Sequence, residues 1–515
     1  METSSSERAS QLIEWLRDYA TRRLDLALWD ERRSIPPHVV QDFARQGLFG
    51  LQGEQEFGGL ALCPSDCLRV SEQLGAIDMS LSIAVSLHCF LVTGPIRKFA
   101  TPIEEARWLP ELVSGRILGS YCLTEHGAGS DPRRIQTYAH QQENGDWIMT
   151  GEKIWSGNAA WAGVLVVFAR TFDMADKELG LSAFVVDRDT PGVVQGPEAR
   201  TMGLRAMVQN SMRFEKVRLQ PGHLLGKTGE GMVIAHGAMM FARLVIASIC
   251  LGAMKRCLQY VLPYLRERRI STGLMAQNPT VLAQMQKCWS DVLVLEVLVD
   301  HAGKILDEEQ TLSDEFYAAL KILAPEMLGR TTDVTLQLLG GRGFIETNVI
   351  ARFHRDARIL RIFEGPTETL AAFLGARLRA NAMPFFEVLD LLGGQKQNEK
   401  LARLLERWSG GVAALPLCDQ RPHLLRGQVL LGELAAQALA LAALQRHPQA
   451  NAAMQTRAQT RWCRELEAFF GELESGPDEK IVGEIERFCA PVGDISPFFS
   501  GEEWAMDALL KGIPA

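Results

Sequence analysis

The period of the apolar residues changes twice along this chain, and those changes restrict the fold more than any other feature. From Gln11 to about Gly115 the spacing is helical, with Leu12, Trp15, Leu16, Tyr19 and Leu24 recurring at three- and four-residue intervals. Pro36 and Pro37 open a helix carrying Val39, Val40, Phe43 and Leu48. The stretch 66–99 reads as two long apolar helices broken near Gly75, and Pro102 stands where a further helix can start. After Arg116 the pattern becomes that of strands: 164–168, 182–186 and 211–217 are short β-branched runs bounded by Gly, Asp and Pro. Helical spacing returns after Gly231 and lasts to about Arg377. Beyond Asn381 a stretch rich in Leu, Ala, Gln and Glu is again helical, and 424–444 is apolar nearly all round, as a buried helix is. The expected fold is α+β and mostly helical. It divides into an N-terminal helical domain (1–115), a middle β domain (116–220), a C-terminal helical domain (221–380) and a helical extension (381–515).

A formal net charge of −8 lacks the basic excess that general nucleic-acid binding needs. Residues 1–10 are polar and lack the apolar core of a signal peptide. No charge-free apolar run reaches membrane-spanning length; the nearest, 231–254, carries Arg243 near its middle and reads as a buried helix. Ten cysteines are scattered, with Cys63 and Cys67 the only close pair and no second pair or histidines to complete a metal site. The expectation is a cytoplasmic chain of reduced thiols, with no metal and no transmembrane segment.

Chemistry concentrates at 121–131, Tyr-Cys-Leu-Thr-Glu-His-Gly-Ala-Gly-Ser-Asp. Thr124 and Glu125 offer an acceptor and an acid, while Gly127 and Gly129 let main-chain N–H groups converge on an anion such as a pyrophosphate. Ser130 and Asp131 add side-chain oxygens. The same residues also suit a polar glycine turn between two strands. A decoy stands at 222–228, Gly-His-Leu-Leu-Gly-Lys-Thr. Its first glycine is one residue too close to Gly226 and Lys227 for a phosphate-binding loop, and no strand clearly feeds it. Further along, Glu364 is flanked by Phe363 and apolar chain; it suits either a cap for the helix that follows or, with its pKa raised by desolvation, a base near neutral pH.

The stretch 121–131 resembles the flavin loop of acyl-CoA dehydrogenases, Tyr-x-x-Thr-Glu-Pro-x-x-Gly-Ser-Asp, with His126 in place of the proline. Three more segments resemble that family: Gly151-Glu-Lys-Ile-Trp155-Ser156-Gly157-Asn158, Gln337-Leu-Leu-Gly340-Gly341-Arg-Gly343-Phe344, and Arg361-Ile-Phe-Glu364-Gly365-Pro366-Thr367-Glu368. The resemblance covers roughly 11–379 and implies a four-helix bundle in the C-terminal domain, bound FAD and an acyl thioester substrate. It implies cofactor contacts at Tyr121, Leu123, Thr124, Gly129, Ser130, Trp155, Ser156, Gly157, Thr367 and Glu368. Gln337, Gly340 and Gly341 would reach the cofactor's adenosine half across a subunit interface, while Arg269 would contact its pyrophosphate and Ser271 would join the cofactor contacts. Ser130, Met240, Arg243 and Gly365 would meet the substrate. Glu364 would remove the α-proton while the β-hydride passes to flavin N5, leaving a trans-2-enoyl thioester. A subset of the family places its base directly before the arginine of an Arg-x-x-x-Ala-x-x-x-x-Gly segment, here Arg243, Ala247 and Gly252. Ala242 stands there in this chain and cannot act, which leaves Glu364.

The chain departs from the family pattern at three further places. Gly157 stands where relatives place a hydroxyl near flavin N5, which leaves the acceptor open between an electron-transfer flavoprotein and oxygen. Thr272 replaces the aromatic residue of the Arg-x-x-Phe-Gly segment that begins at Arg269. Met240 replaces the Asp that many relatives set on the pantetheine arm, so an acyl group on an acyl or peptidyl carrier protein stands beside free CoA as substrate. A catalytically inactive flavin-binding scaffold is the reading from another class, and the presence of Glu364 speaks against it. The extension resembles that of the very-long-chain enzymes, where it favours a homodimer over a tetramer. From Asn381 onward it holds 13 Lys and Arg against 18 Asp and Glu, net −5, which speaks against DNA and against an anionic membrane surface.

Overall fold

The computed structural model describes residues 3–413, 415, 417–474 and 480–492. Helices come first: α1 (Ser5–Arg23), α2 (Leu26–Arg32), α3 (Pro37–Arg45), α4 (Pro64–Ile77), α5 (Met79–Ser86), α6 (Gly94–Phe99) and α7 (Pro102–Val113). The start of α1 is a capping box: Ser4 Oγ accepts the Glu7 N–H at 3.2 Å, and the Glu7 carboxylate accepts the Ser4 N–H at 2.8 Å. The break between α4 and α5 falls at Asp78 rather than Gly75. Asp78 is extended (φ −161°, ψ 133°) and its carboxylate accepts the Leu81 N–H, capping α5. Gly75 stays helical because a later helix crosses it: a Cβ there would come within 2.4 Å of Ile249 O.

A π-helical segment, Leu87–Thr93, joins α5 to α6. It carries His88 into the core, where Nε2 donates to Leu112 O at 3.0 Å and Nδ1 accepts the Gly119 N–H at 3.0 Å. Both ring nitrogens are satisfied by a neutral imidazole, and burial pulls its pKa down to about 4. This histidine fastens the helices to the first strand.

Strands β1 (Leu118–Cys122), β2 (Tyr138–Gln141), β3 (Trp147–Gly157), β4 (Ala162–Phe172), β5 (Glu178–Asp187), β6 (Val193–Glu198), β7 (Gln209–Leu219) and β8 (Leu224–Leu225) form one sheet in the order β6-β7-β3-β2-β4-β5-β8. β1 lies parallel to β4, which also pairs with β2 in parallel and with β5 antiparallel. Inward residues such as Val164, Val166 and Phe168 pack under α7 and the start of the next helix, while Leu165, Val167 and Phe184 fill the other face.

Helices then resume: α8 (Gly231–Glu267), α9 (Pro279–Asp307), α10 (Asp314–Leu339), α11 (Val349–Ala357) and α12 (Thr367–Ala380). The extension continues with α13 (Met383–Leu391), α14 (Gln395–Ala413), α15 (Leu417–Arg446), α16 (Ala452–Glu474) and α17 (Ile481–Cys489). α15 lies on α12 almost backbone to backbone: a Cβ on Gly432 would stand 2.0 Å from Ala371 O, and one on Gly375 1.9 Å from Gln428 O.

Among the described residues, three stretches are long and apolar enough to cross a membrane by length and composition: Met79–Phe99, Gly231–Glu267 and Gln420–Arg446. The expectation that no run reaches that length is corrected accordingly. The physical reason is surrounding protein. Between 67% and 83% of each apolar window is buried inside the molecule, and a helix packed on all sides has no polar face.

Candidate active site

β1 delivers Tyr121 to the junction of sheet and helices. Its ring tilts on Phe168 of β4 with 5.0 Å between centroids, and its hydroxyl is buried without a hydrogen-bond partner. Burial raises the phenol well above its usual pKa and the charge of Glu364 adds to the rise, so the two groups lie within electrostatic reach of one another.

The chain then turns where Glu125 bridges to Ala128. A side chain added at Gly127 or Gly129 would meet nothing within 4 Å. Packing therefore does not require these glycines; they leave bare main chain facing open space. Ser130 is exposed, and Asp131 is engaged locally by the Arg133 guanidinium at 2.7 Å. Glu125 is not a free acid. It accepts from Lys153 Nζ at 2.6 Å and from the N–H groups of Gln136 and Thr137 at 2.5 and 3.0 Å. Desolvation pushes its carboxyl up, but Lys153 and these N–H donors outweigh that and hold it below the usual range. Lys153, fully buried, also donates to Leu123 O at 3.1 Å, and the Ile154 N–H donates to Thr124 O at 2.9 Å. Loop 123–130 and the end of β3 are thereby one unit.

β3 bulges against β7 between Lys153 and Ser156, and within the bulge Trp155 adopts φ 53°. That backbone is an outlier for a bulky side chain, and Trp155 is left 56% exposed. Ser156 and Gly157 are buried, and Ser120 Oγ donates to Gly157 O at 2.7 Å. Space for a hydroxyl side chain at 157 is taken: a Cβ there would fall 2.5 Å from Met207 Cε and 2.8 Å from Leu87 Cδ1.

From the helical side, Glu364 lies in the turn before α12 at φ 55°, followed by Gly365 at φ 102°. The residue as a whole is half-buried, but its Oε2 is shut from solvent without a hydrogen-bond partner. Two cations hold the turn by its main chain. Arg243, from the middle of α8, donates Nε–H to Glu364 O at 3.1 Å; Lys321 of α10 donates to Leu360 O at 2.7 Å and Gly365 O at 3.4 Å. Burial raises the Glu364 pKa, with the charges of Arg243 and Lys321 pulling against it. Met240 is buried one turn from Arg243, its sulfur 3.8 Å from Nη1.

The remaining candidates lie elsewhere. Thr367 and Glu368 open α12, with Thr367 Oγ1 3.3 Å from Glu326 Oε1. Arg269 and Ser271 are exposed in the hairpin Arg269–Ile270 and Gly273–Leu274 just past α8. Gln337, Gly340 and Gly341 are exposed at the end of α10. Arg342 lies over the Tyr264 ring at 5.7 Å, joining these two helix ends. Along α10 the rise from Lys321 to Gln337 is about 24 Å, so one chain does not bring this group to Glu364. Residue-by-residue reading passed over Lys153 and Lys321. The first stood inside the Gly-x-Lys-x-Trp pattern; the second was a lone cation in the apolar run 316–324.

Comparison with known proteins follows the same outline. The acyl-CoA dehydrogenase N-terminal, middle and C-terminal domain families match residues 6–116, 120–217 and 229–379. The rat mitochondrial short/branched chain specific acyl-CoA dehydrogenase is 32% identical over 343 residues, 65% of this chain and 77% of its own. The mitochondrial very long-chain specific enzyme of Macaca fascicularis is 29% identical over 454 residues, 84% of this chain and 68% of its own. Among solved structures, an acyl-CoA dehydrogenase complexed with FAD from Bacillus anthracis shares the fold with a TM-score of 0.78 at 21% identity, covering 95% of this chain and 92% of that one. The cytoplasmic expectation is overturned here, since these curated relatives are mitochondrial. Free thiols, which all the described cysteines are, suit any reducing compartment and never singled out the cytoplasm.

Proposed function

This chain belongs to the acyl-CoA dehydrogenase family, FAD-dependent oxidoreductases of acyl thioesters, and from that premise we propose that it desaturates an acyl-CoA between its α and β carbons with Glu364 as base. One observation carries the reading. Glu364 combines a left-handed backbone, an Oε2 buried without a partner and a carboxyl held above its usual range. A base needs a lone pair that no neighbour already uses and an affinity for protons near the working pH. Left-handed backbone at a non-glycine residue costs about 1–3 kcal/mol and persists where the surroundings impose it.

The fit of FAD is supported by three features: the bare glycine main chain of loop 123–130, the exposed indole of Trp155 and the unpartnered Tyr121 hydroxyl. They offer converging N–H groups, a flat apolar face and a polar contact. We assign the holding of FAD to these residues with 156–157, Thr367 and Glu368. Arg269, Ser271, Gln337, Gly340 and Gly341 serve a second copy's cofactor, which makes the working unit a homo-oligomer, with a dimer favoured. When bound, FAD supplies the two-electron acceptor, and an electron-transfer flavoprotein is the proposed reoxidant. Within the chain, the main-chain N–H of Glu364 polarises the thioester carbonyl as an oxyanion donor does. Oε2 then takes the α-proton, and Arg243 keeps the turn in place through its carbonyl.

Met240 favours a second reading. Its sulfur rests on Arg243, so this position offers no carboxylate to a pantetheine arm, which suits an acyl group delivered on a carrier protein. Anaerobic titration of the flavin absorbance separates the two, using an acyl-CoA panel and then the same acyl groups on a carrier protein, with Glu364→Gln as control. Bleaching by a CoA thioester that is lost in the variant supports the first reading. Bleaching by carrier-bound acyl groups alone supports the second, and no bleaching of a flavin that dithionite reduces overturns both.

A further inference from the structure

Lys321 sits two turns into α10 and is 1% exposed. Burying an ammonium is costly unless its hydrogens are satisfied, and both of its hydrogen bonds go to main-chain carbonyls rather than to a carboxylate. Leu360 O and Gly365 O, at 2.7 and 3.4 Å, bracket Glu364 from the two ends of one turn. Phe363, inside that turn, presents its ring 6.0 Å from Nζ. Arg243 holds the Glu364 carbonyl separately, from α8. The groups whose charges act on Lys321 are Glu364, Cys250, Arg243 and Glu326; burial brings its pKa down to about 8, so the cation is present at neutral pH.

We propose that Lys321 is a positioning residue for Glu364: its ammonium ties the two ends of the turn together and so holds the residue's backbone at φ 55° with the carboxylate Oε2 unpartnered. The inference rests on the reading of Glu364 as base. Without the lysine the turn gains freedom at both ends, and the carboxylate loses one of the two cations that oppose its protonation. A lysine that only satisfied buried carbonyls would affect stability and flavin retention, and one that acted by its charge alone would move the proton affinity of the base without lowering kcat at high pH.

The test is the pH profile of kcat/KM for the flavin-loaded enzyme with an acyl-CoA, comparing the parent with Lys321→Met, Lys321→Arg and Glu364→Gln. In Lys321→Met the acid limb is expected to rise by about one pH unit, and kcat to fall about a hundredfold while KM changes little. Lys321→Arg restores most of both. If Lys321→Met does not retain flavin, Lys321→Gln, which keeps N–H donors without the charge, is read in its place. An acid limb that stays put, or a kcat at high pH that stays parental, in a flavin-loaded variant lacking the charge overturns the positioning role while leaving Glu364 as base. Full turnover in Glu364→Gln overturns the base reading and this inference with it.

Discussion

Arg243 reaches from the middle of α8 to donate its Nε–H to the main-chain oxygen of Glu364, 3.1 Å away and 121 residues later in the chain. The contact fixes the peptide and leaves the carboxylate free. A guanidinium suits that task because its N–H vectors are rigid, whereas a lysine would present a single rotating point charge. Arg243→Lys is therefore expected to keep the charge near Glu364 but lose the fixed peptide plane. Turnover should fall at least about tenfold with flavin content unchanged, the scale expected for a misplaced reacting group. Parental rates in stopped-flow flavin bleaching would refute this role for the bond.

Gly157 explains its own departure from the family pattern, because Met207 Cε and Leu87 Cδ1 occupy the space a side chain would need. Both are ends of flexible chains, so Gly157→Thr should fold with a loss of about 1–3 kcal/mol, the usual range for overpacking. Adding Met207→Ala removes the nearer clash and should recover part of the loss. Thermal denaturation of the single and double variants reads this coupling directly.

Glu125 and Lys153 pair in the buried hinge between the glycine loop and β3. Glu125→Gln leaves the ammonium of Lys153 buried beside a neutral amide, and breaking such a pair costs about 3–5 kcal/mol. The carboxyl is held below its usual range, so its contribution to stability is present above the unfolded pKa and is lost as pH falls through the folded one. The variant's Tm deficit should accordingly shrink in acid. A deficit independent of pH would show that packing, not charge, is what the substitution removes.

The order of helix, strand and helix was legible because burial on one face imposes its period on the sequence. Glu364 stood out through the resemblance of 361–368 to the family's segment, with Phe363 beside it as the reason to expect a raised pKa. What could not be read were contacts between segments distant in the chain. Gly75 looked like a helix break, yet it is a crossing point: α8 runs over it, and Asp78 supplies the break instead. Lys153 and Lys321 are ordinary letters until folding buries them beside Glu125 and Glu364. Trp155 gave no sign of its left-handed backbone, since a bulge arises from the register of two strands and not from either one alone.

The extension bears on the site through α12. Gly432 of α15 lets that helix lie against Ala371, seven residues after Glu364, with no room for a methyl group. Gly432→Ala must push the two backbones apart, at a cost of about 1–3 kcal/mol. Because α12 begins at Thr367, directly after the turn that holds Glu364, the displacement is expected to lower the rate of flavin bleaching as well as Tm. A lower Tm with an unchanged rate would confine the extension to a stabilising role.

Asp356 sets an expected pH dependence for the whole fold. It is buried in α11, accepts the Leu204 N–H at 2.6 Å, and its carboxyl is pushed up to about 7, by burial first and then by the charge of Asp78. Arg352, whose Nε lies 3.3 Å from Asp78, opposes the rise, and Asp30 adds to it. An unfolded Asp titrates near about 3.9. Between the two values the native state binds the extra proton, so the contribution of this group is complete below the unfolded pKa and is lost as pH rises through about 7. Asp356→Asn keeps an acceptor for the Leu204 N–H and removes the titration. It should flatten the decline in Tm between about pH 5 and pH 8 and be at least as stable as the parent at the upper end. If parent and variant trace parallel Tm curves across that range, the carboxyl does not titrate there, and the raised value assigned to Asp356 is wrong.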